Sequence, residues 1–139
     1  MNAHTVPEDI KVNVKLKLAA LWTSLMFLII YLDYFHLYMP DSLKDIIAGK
    51  VFVFDITQLF LLAALAMIAI PALMIFLSIA LPATINRPAN IMIAAINIPL
   101  LLFNLAGVAW IHMIIGAAIE IALLCLILYY AWKWPRLEV

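Results

Sequence analysis

The sequence predicts an all-α membrane protein, a bundle of four transmembrane helices with both termini in the cytoplasm. The chain has 139 residues and 69% of them are hydrophobic, with a mean hydropathy of +1.18, whereas soluble domains are about half apolar. Four apolar stretches each approach the ~20 residues that a helix needs to cross a bilayer. The basic residues outside these stretches fall mostly on one side of the membrane, which indicates the orientation.

A polar arm, residues 1–17, precedes the first predicted span. Within it, residues 5–8 have the form of a capping box, which predicts a short helix there. The first span follows at about 18–39, because residues 18–32 are almost unbroken apolar and Pro40 ends the stretch. No small-residue cleavage site follows this stretch, so we expect it to remain as a membrane anchor.

The middle of the chain supplies two more spans. Residues 41–57 are expected to form a polar loop, in which 51–54 is a short strand-like or interfacial piece. The second span, about 58–81, and the third, about 89–107, flank a tight polar turn at 82–88. Each of these spans carries one interior proline, which can kink a helix, although proline is common in membrane helices.

The fourth span, about 112–134, ends in aromatic residues around Lys133, an arrangement typical of the membrane interface. Trp22 is expected at a similar level. An even number of spans places both termini on one side, and the positive-inside rule predicts that this side is the cytoplasm. The basic residues on the side of the termini are Lys11, Lys15, Lys17, Arg87, Lys133 and Arg136, against Lys44 and Lys50 on the other side.

Several classes of protein are disfavoured by the composition. The formal net charge is zero, so the chain lacks the basic surface of a nucleic-acid-binding protein. Its single cysteine, Cys125, has no partner for a disulfide within the chain and is expected to be a small buried apolar residue. A single membrane domain is expected over residues 1–136, and residues 137–139 match the start of a protease recognition site, so we interpret them as a cloning remnant.

Two carboxylates, Asp33 and Glu120, lie inside stretches otherwise apolar enough to span a bilayer. Ionisable groups at this depth are costly and are commonly functional. Counting from Pro40 and His112 at 1.5 Å per residue places the two acids ~10 Å and ~12 Å below the outer surface. The sequence therefore predicts a shared outward-facing pocket that binds or transports a cation, a proton or a small amphipathic molecule. The inner half of the bundle is expected to be closed by apolar packing.

Further polar side chains are expected around this pocket because they share a helix face or lie at a similar depth. The predicted ligand-binding residues are Asp33, His36, Tyr34, Asn97, Asn104 and Glu120. The same acids with His36 and His112 would supply four metal ligands, but a single D-x-x-H pair is a weak signal. We therefore predict no metal site.

Two alternative functions stay open at the level of sequence. In the first alternative, the acids serve as buried hydrogen-bonding groups in a structural subunit that binds a membrane partner. The transport function predicted above would favour a homodimer, because four helices are few for a transporter. An intramembrane enzyme acting on a lipid or isoprenoid is the other alternative, with paired acids moving protons. The chain carries no nucleophile motif, phosphate loop or cofactor fingerprint, so no catalytic residue and no cofactor is predicted.

Four segments of the chain resemble a family of small bacterial four-helix membrane proteins, catalogued as a domain of unknown function. They are residues 9–18 with 21–23, 31–40, 81–87 and 130–135. The resemblance covers nearly the whole chain. It implies the four-helix topology and a place in the bacterial inner membrane, and it transfers no activity. In outline the chain is also similar to the DoxX-like membrane proteins, which is a likeness of architecture alone.

Overall fold

The computed structural model describes residues 7–107 and 109–135, and they are mostly helical. The elements in chain order are α1 (Val14–His36), α2 (Ser42–Ile47), β1 (Lys50–Val51), β2 (Phe54–Asp55), α3 (Gln58–Ala80), α4 (Ala83–Phe103) and α5 (Ile111–Trp132). The helices α1, α3, α4 and α5 are 21 to 23 residues long and apolar enough to cross a membrane. The predicted fold class is confirmed, whereas the cytoplasmic side of the termini stays a prediction.

The four long helices run alternately in opposite directions. Helix α1 packs against α3 and α5, and α4 packs along α5, whereas α3 and α4 touch each other much less. One end of the bundle, here called the terminal end, contains the start of α1, the α3–α4 connection and the end of α5. The other end, here called the loop end, contains the α1–α3 and α4–α5 connections.

The hydrophobic core lies toward the terminal end. Within α3 the first buried residue is Pro71, so the half of α3 near the loop end packs loosely. Cys125 was expected to be buried and is exposed instead, because it lies one residue from Leu124 and thus off the buried face of α5. The fully buried side chains of the core are Leu18, Trp22, Leu25, Met74, Leu124 and Ile127.

The segment 82–88, predicted as a polar turn, forms the first turns of α4, with Pro82 as its N-cap. The side chain of Asn86 in this segment points inward and completes the end of α3. Its Nδ2 donates to the carbonyl oxygens of Ser78 at 2.6 Å and Leu81 at 3.4 Å. The predicted turn was therefore wrong. Asn86 is polar because its side chain pairs with the carbonyl groups at the end of α3, which otherwise lack partners, and not because it lies in an exposed turn.

The N-terminal arm lacks the expected short helix within the described residues. Residues 7–13 are not helical, and α1 begins at Val14. The side chain of Asn13 caps this helix by accepting from the backbone N–H of Lys15 at 2.9 Å. The first two residues of the predicted capping box lie outside the described residues, as do Arg136 and the predicted remnant at 137–139.

The α1–α3 connection is more ordered than a plain loop. It contains α2, which was not predicted, and an antiparallel pair of two-residue strands in which Lys50 is opposite Asp55. The expected strand-like piece is therefore confirmed as a hairpin. The ring of Phe52 lies against Gly107, where a Cβ would come within 2.6 Å of the ring, so the hairpin packs on the α4–α5 connection.

Candidate functional site

Glu120 is a deeply buried carboxylate in the middle of α5. It lies nine residues from the first residue of the helix, ~13.5 Å along its axis. Its side chain is only 5% exposed, and it forms no hydrogen bond with any residue that the structure describes. Its carboxylate oxygens are not fully enclosed, because the fully buried side-chain atom without a partner among the described residues is His112 Nε2. A small ligand or water can therefore reach the carboxylate.

The close approach of α1 and α5 sets the surroundings of Glu120. Gly116, one turn before Glu120, is buried, and a Cβ in its place would overlap the side chain of Leu32 on α1. Glycine allows this contact because it presents only backbone to the neighbouring helix. Leu32 directly precedes Asp33, so this contact places Asp33 near the level of Gly116, although Asp33 itself is exposed and lies off the face of Leu32. The contact region between the two helices is here called the α1–α5 seam.

Asp33 lies at the exposed edge of this seam, nearer the loop end. His36 lies one turn further along α1, so it shares a helix face with Asp33. Helix α1 ends at His36, so Asp33 is three residues, ~4.5 Å, from the helix end. The predicted end of the first span at residue 39 was three residues too late, because residues 37–39 continue as a tighter turn with bonds from residue i to i−3. The common depth of the two acids in a membrane stays a prediction. From the loop end inward, the order is His36, Asp33, Glu120.

Asn97 lies at the level of Glu120. The bond from Arg87 Nε to the Ala131 carbonyl, 3.2 Å long, fixes the register of α4 against α5. Counting ten residues from Arg87 and eleven back from Ala131 puts Asn97 and Glu120 within ~1.5 Å of one height. The Asn97 amide donates to the carbonyl of Ile93 at 2.8 Å, so this side chain is anchored to its own helix.

The structure does not bring Asn104 and Tyr34 to the seam. Asn104 is the exposed C-cap residue of α4, at the loop end. Tyr34 is exposed on α1, and its hydroxyl is 2.6 Å from the hydroxyl of Tyr38 on the same outward face. Both residues lie near the loop end of their helices, and the sequence could not tell which way their side chains point.

His112 lies at the mouth of the seam. Its Nε2 is buried without a described hydrogen-bond partner, and its ring meets the edge of Trp110 with 6.2 Å between the ring centroids. Both residues line an open groove of about 460 Å³ together with Phe35, Tyr38 and Met39. Among the described residues no three His, Cys, Asp or Glu side chains form a group that could hold a metal ion.

Sequence reasoning missed a buried polar network at the terminal end. The indole Nε1 of Trp22 donates to Asn90 Oδ1 at 2.7 Å, and the hydroxyl of Ser78 approaches the same oxygen at 3.3 Å. The Asn90 amide in turn donates to Asn86 Oδ1 at 2.7 Å. The predicted apolar packing of the inner half therefore also contains a polar network, and Trp22, expected at the level of the aromatic C-terminus, is fully buried in it. The i, i+4 spacing of the two asparagines was the available signal, which the turn assigned to 82–88 obscured.

Comparison with known proteins identifies the chain only at the level of a family. A family model described as a family of unknown function (DUF6326) matches residues 9–139. No curated protein and no solved structure matches the chain.

Proposed function

We propose that this chain, which belongs to the DUF6326 family of unknown function, binds a monovalent cation, the proton included, between Glu120 and Asp33. One observation carries the proposal. Glu120 is 5% exposed and has no hydrogen-bond partner among the described residues, while a second carboxylate, Asp33, directly follows the Leu32 that contacts Gly116, one turn from Glu120.

The energetics of buried acids support this proposal. Removing an ionised carboxylate from water costs several kcal/mol unless a partner compensates, and two nearby carboxylates repel each other. A bound cation or proton compensates the charge of Glu120 and reduces the repulsion, while the exposed Asp33 keeps its own charge in contact with water. A neutral ligand would leave at least one charge without compensation, so a cation fits the chemistry of this pair best.

The size and ligand set of the site favour a small monovalent ion. A divalent transition metal needs three or more protein ligands, and the described residues offer no such group. The contact between Gly116 and Leu32 also keeps α1 and α5 close beside Glu120. This spacing suits a proton or a compact ion better than the small amphipathic molecule that the sequence left open.

We infer that the ion reaches Glu120 from the loop end. His36 and Asp33 precede Glu120 on that side, and Asp33 keeps more than a third of its surface exposed. Toward the terminal end, fully buried apolar side chains of α1 and α5 close the seam, among them Leu25 and Leu124. With cytoplasmic termini, the loop end faces the outer side of the membrane.

Thermal unfolding of the purified protein in detergent tests the proposal. A ligand that binds the folded state stabilises it, by about 2.7 kcal/mol at 100 times its Kd. We expect the melting temperature to rise with Li⁺, Na⁺ or K⁺ at constant ionic strength, or with falling pH if the ion is a proton. The variant Glu120→Gln should lose this response, whereas Asp55→Asn in the exposed hairpin should keep it.

Two results would contradict the proposal. One is a wild-type melting temperature that responds to neither small cations nor pH. The other is a Glu120→Gln variant that responds as the wild type does. Choline chloride serves as the salt control, because its bulky cation does not fit the closely packed seam.

A further inference from the structure

A second candidate site lies at the terminal end, where a groove of about 320 Å³ follows the first turns of α4. Counting from Arg87 to the level of Asn97 separates it from the height of Glu120 by ~15 Å. The site is therefore independent of the proposed cation site. The residues that line the groove are Ala83, Thr84, Arg87, Pro88 and Ile91.

Arg87 is held at this groove from two sides. Its Nε donates to the carbonyl of Ala131 at 3.2 Å, and its guanidinium carbon lies 5.9 Å from the centre of the Trp132 ring. A guanidinium has five N–H donors, and the other four have no acceptor among the residues that the structure describes. Arg87 is also partly buried, so its unused donors favour an anionic ligand at this position.

Three other cations at this end are engaged elsewhere, and the fourth that the structure describes, Lys11, is exposed on the arm before α1 and does not line the groove. The Nζ of Lys15 donates to the carbonyls of Ile79 and Leu81, at 3.2 and 2.6 Å. The ammonium groups of Lys17 and Lys133 lie over tyrosine rings of α5, at 5.1 and 4.7 Å from the ring centres. Arg87 is therefore the basic side chain that the groove presents to a ligand.

We propose that this groove binds the phosphate group of an anionic phospholipid. A guanidinium matches phosphate geometry with two parallel hydrogen bonds, which a lysine ammonium cannot provide. Thr84, exposed at the groove, adds a hydroxyl donor. Pro88 and Ile91 continue from Arg87 along α4 toward the membrane interior, where they supply an apolar wall for an acyl chain. The positive charge of Arg87 matches the anionic headgroup of such a lipid, and the apolar wall matches its acyl chain.

Native mass spectrometry can test this site on the full chain released from nanodiscs of equal parts phosphatidylglycerol and phosphatidylcholine. We expect the wild type to retain phosphatidylglycerol with about tenfold preference, because the choline cation of phosphatidylcholine offsets its phosphate charge and is repelled by the guanidinium. Arg87→Gln should abolish the preference and Arg87→Lys should reduce it. Lys133→Gln, at the same end but outside the groove, and Glu120→Gln should both retain it.

A groove-filling variant keeps the proposal falsifiable if Arg87→Gln fails to fold. Ala83 is exposed, so Ala83→Leu should leave the fold and the guanidinium of Arg87 in place. It should still lower lipid retention, because the larger side chain occupies the groove. A separate arm titrates inorganic phosphate, which should not displace the lipid. The proposal is overturned if Arg87→Gln or Ala83→Leu retains phosphatidylglycerol as the wild type does, or if inorganic phosphate displaces it.

Discussion

At the scale of single residues, the contrast between Asn90 and Glu120 separates structure from function. Asn90 is fully buried, and both its oxygen and its amide group are paired. Glu120 is nearly as buried and has no described partner. A satisfied polar network makes the helix arrangement specific, whereas a largely buried carboxylate without a described partner is costly to ionise, which favours a bound cation. We therefore assign a structural role to the first and a binding role to the second.

Replacing Asn90 by alanine should destabilise the protein. The change leaves the Trp22 indole and an Asn86 acceptor without partners in the core, and each such loss costs about 1–3 kcal/mol. Asn104→Ala, at an exposed position of the same helix, should change the free energy of unfolding by less than about 0.5 kcal/mol. Unfolding in detergent measures both, and equal effects would argue against the network's structural role.

The sequence singled out the acids but not the buried asparagines, for a physical reason. A charge such as Glu120 stands out in an apolar stretch whatever its neighbours are. The role of Asn86 depends on which helix ends nearby, and flanking Pro82 and Pro88 resemble turn signals. The partner of Gly116, Leu32, lies on another helix, and one sequence does not show that contact.

At the scale of the elements, the seam between α1 and α5 determines where the two acids lie relative to each other. Hydropathy predicted both helices, because any long apolar stretch stands out against water-soluble sequence. It placed the end of α1 three residues too late, since the tight turn after His36 is as apolar as the helix itself.

A larger side chain at Gly116 should force α1 and α5 apart. We expect Gly116→Leu to lower the free energy of unfolding by about 1–3 kcal/mol, the usual cost of overpacking, and to weaken the cation response. Ala118→Leu is the matched control, because Ala118 is exposed on the same helix. A Gly116→Leu variant as stable as this control would contradict the close approach of the two helices.

At the scale of the whole molecule, the bundle is tightly packed at its terminal end and more open at its loop end. The buried core and the hydrogen bonds of Asn86 and Asn90 lie at the terminal end, whereas α3 has no buried residue before Pro71. We therefore expect the bundle to open more easily at the loop end, the side from which we propose that the ion reaches Glu120. With cytoplasmic termini, as predicted, the more open loop end faces the outer side of the membrane.

Cysteine labelling in intact bacterial cells tests that orientation. With Cys125 replaced by serine, Lys44→Cys at the loop end should react with a membrane-impermeant maleimide added outside. Lys133→Cys at the terminal end should react only after the membrane is permeabilised, because the positive-inside rule places it in the cytoplasm. The opposite pattern would reverse the predicted orientation, and the loop end would then face the cytoplasm.

Modification by a hydrophobic carbodiimide tests the central claim, cation binding at Glu120, most directly. The reagent reacts with protonated carboxyl groups in apolar surroundings, and peptide mass spectrometry identifies the modified residue. We predict modification of Glu120 that decreases as the pH rises or as a small monovalent cation is added, with no such change at Asp55. Glu120 that stays unmodified under all conditions, or that reacts equally at every pH and cation concentration, would contradict the account.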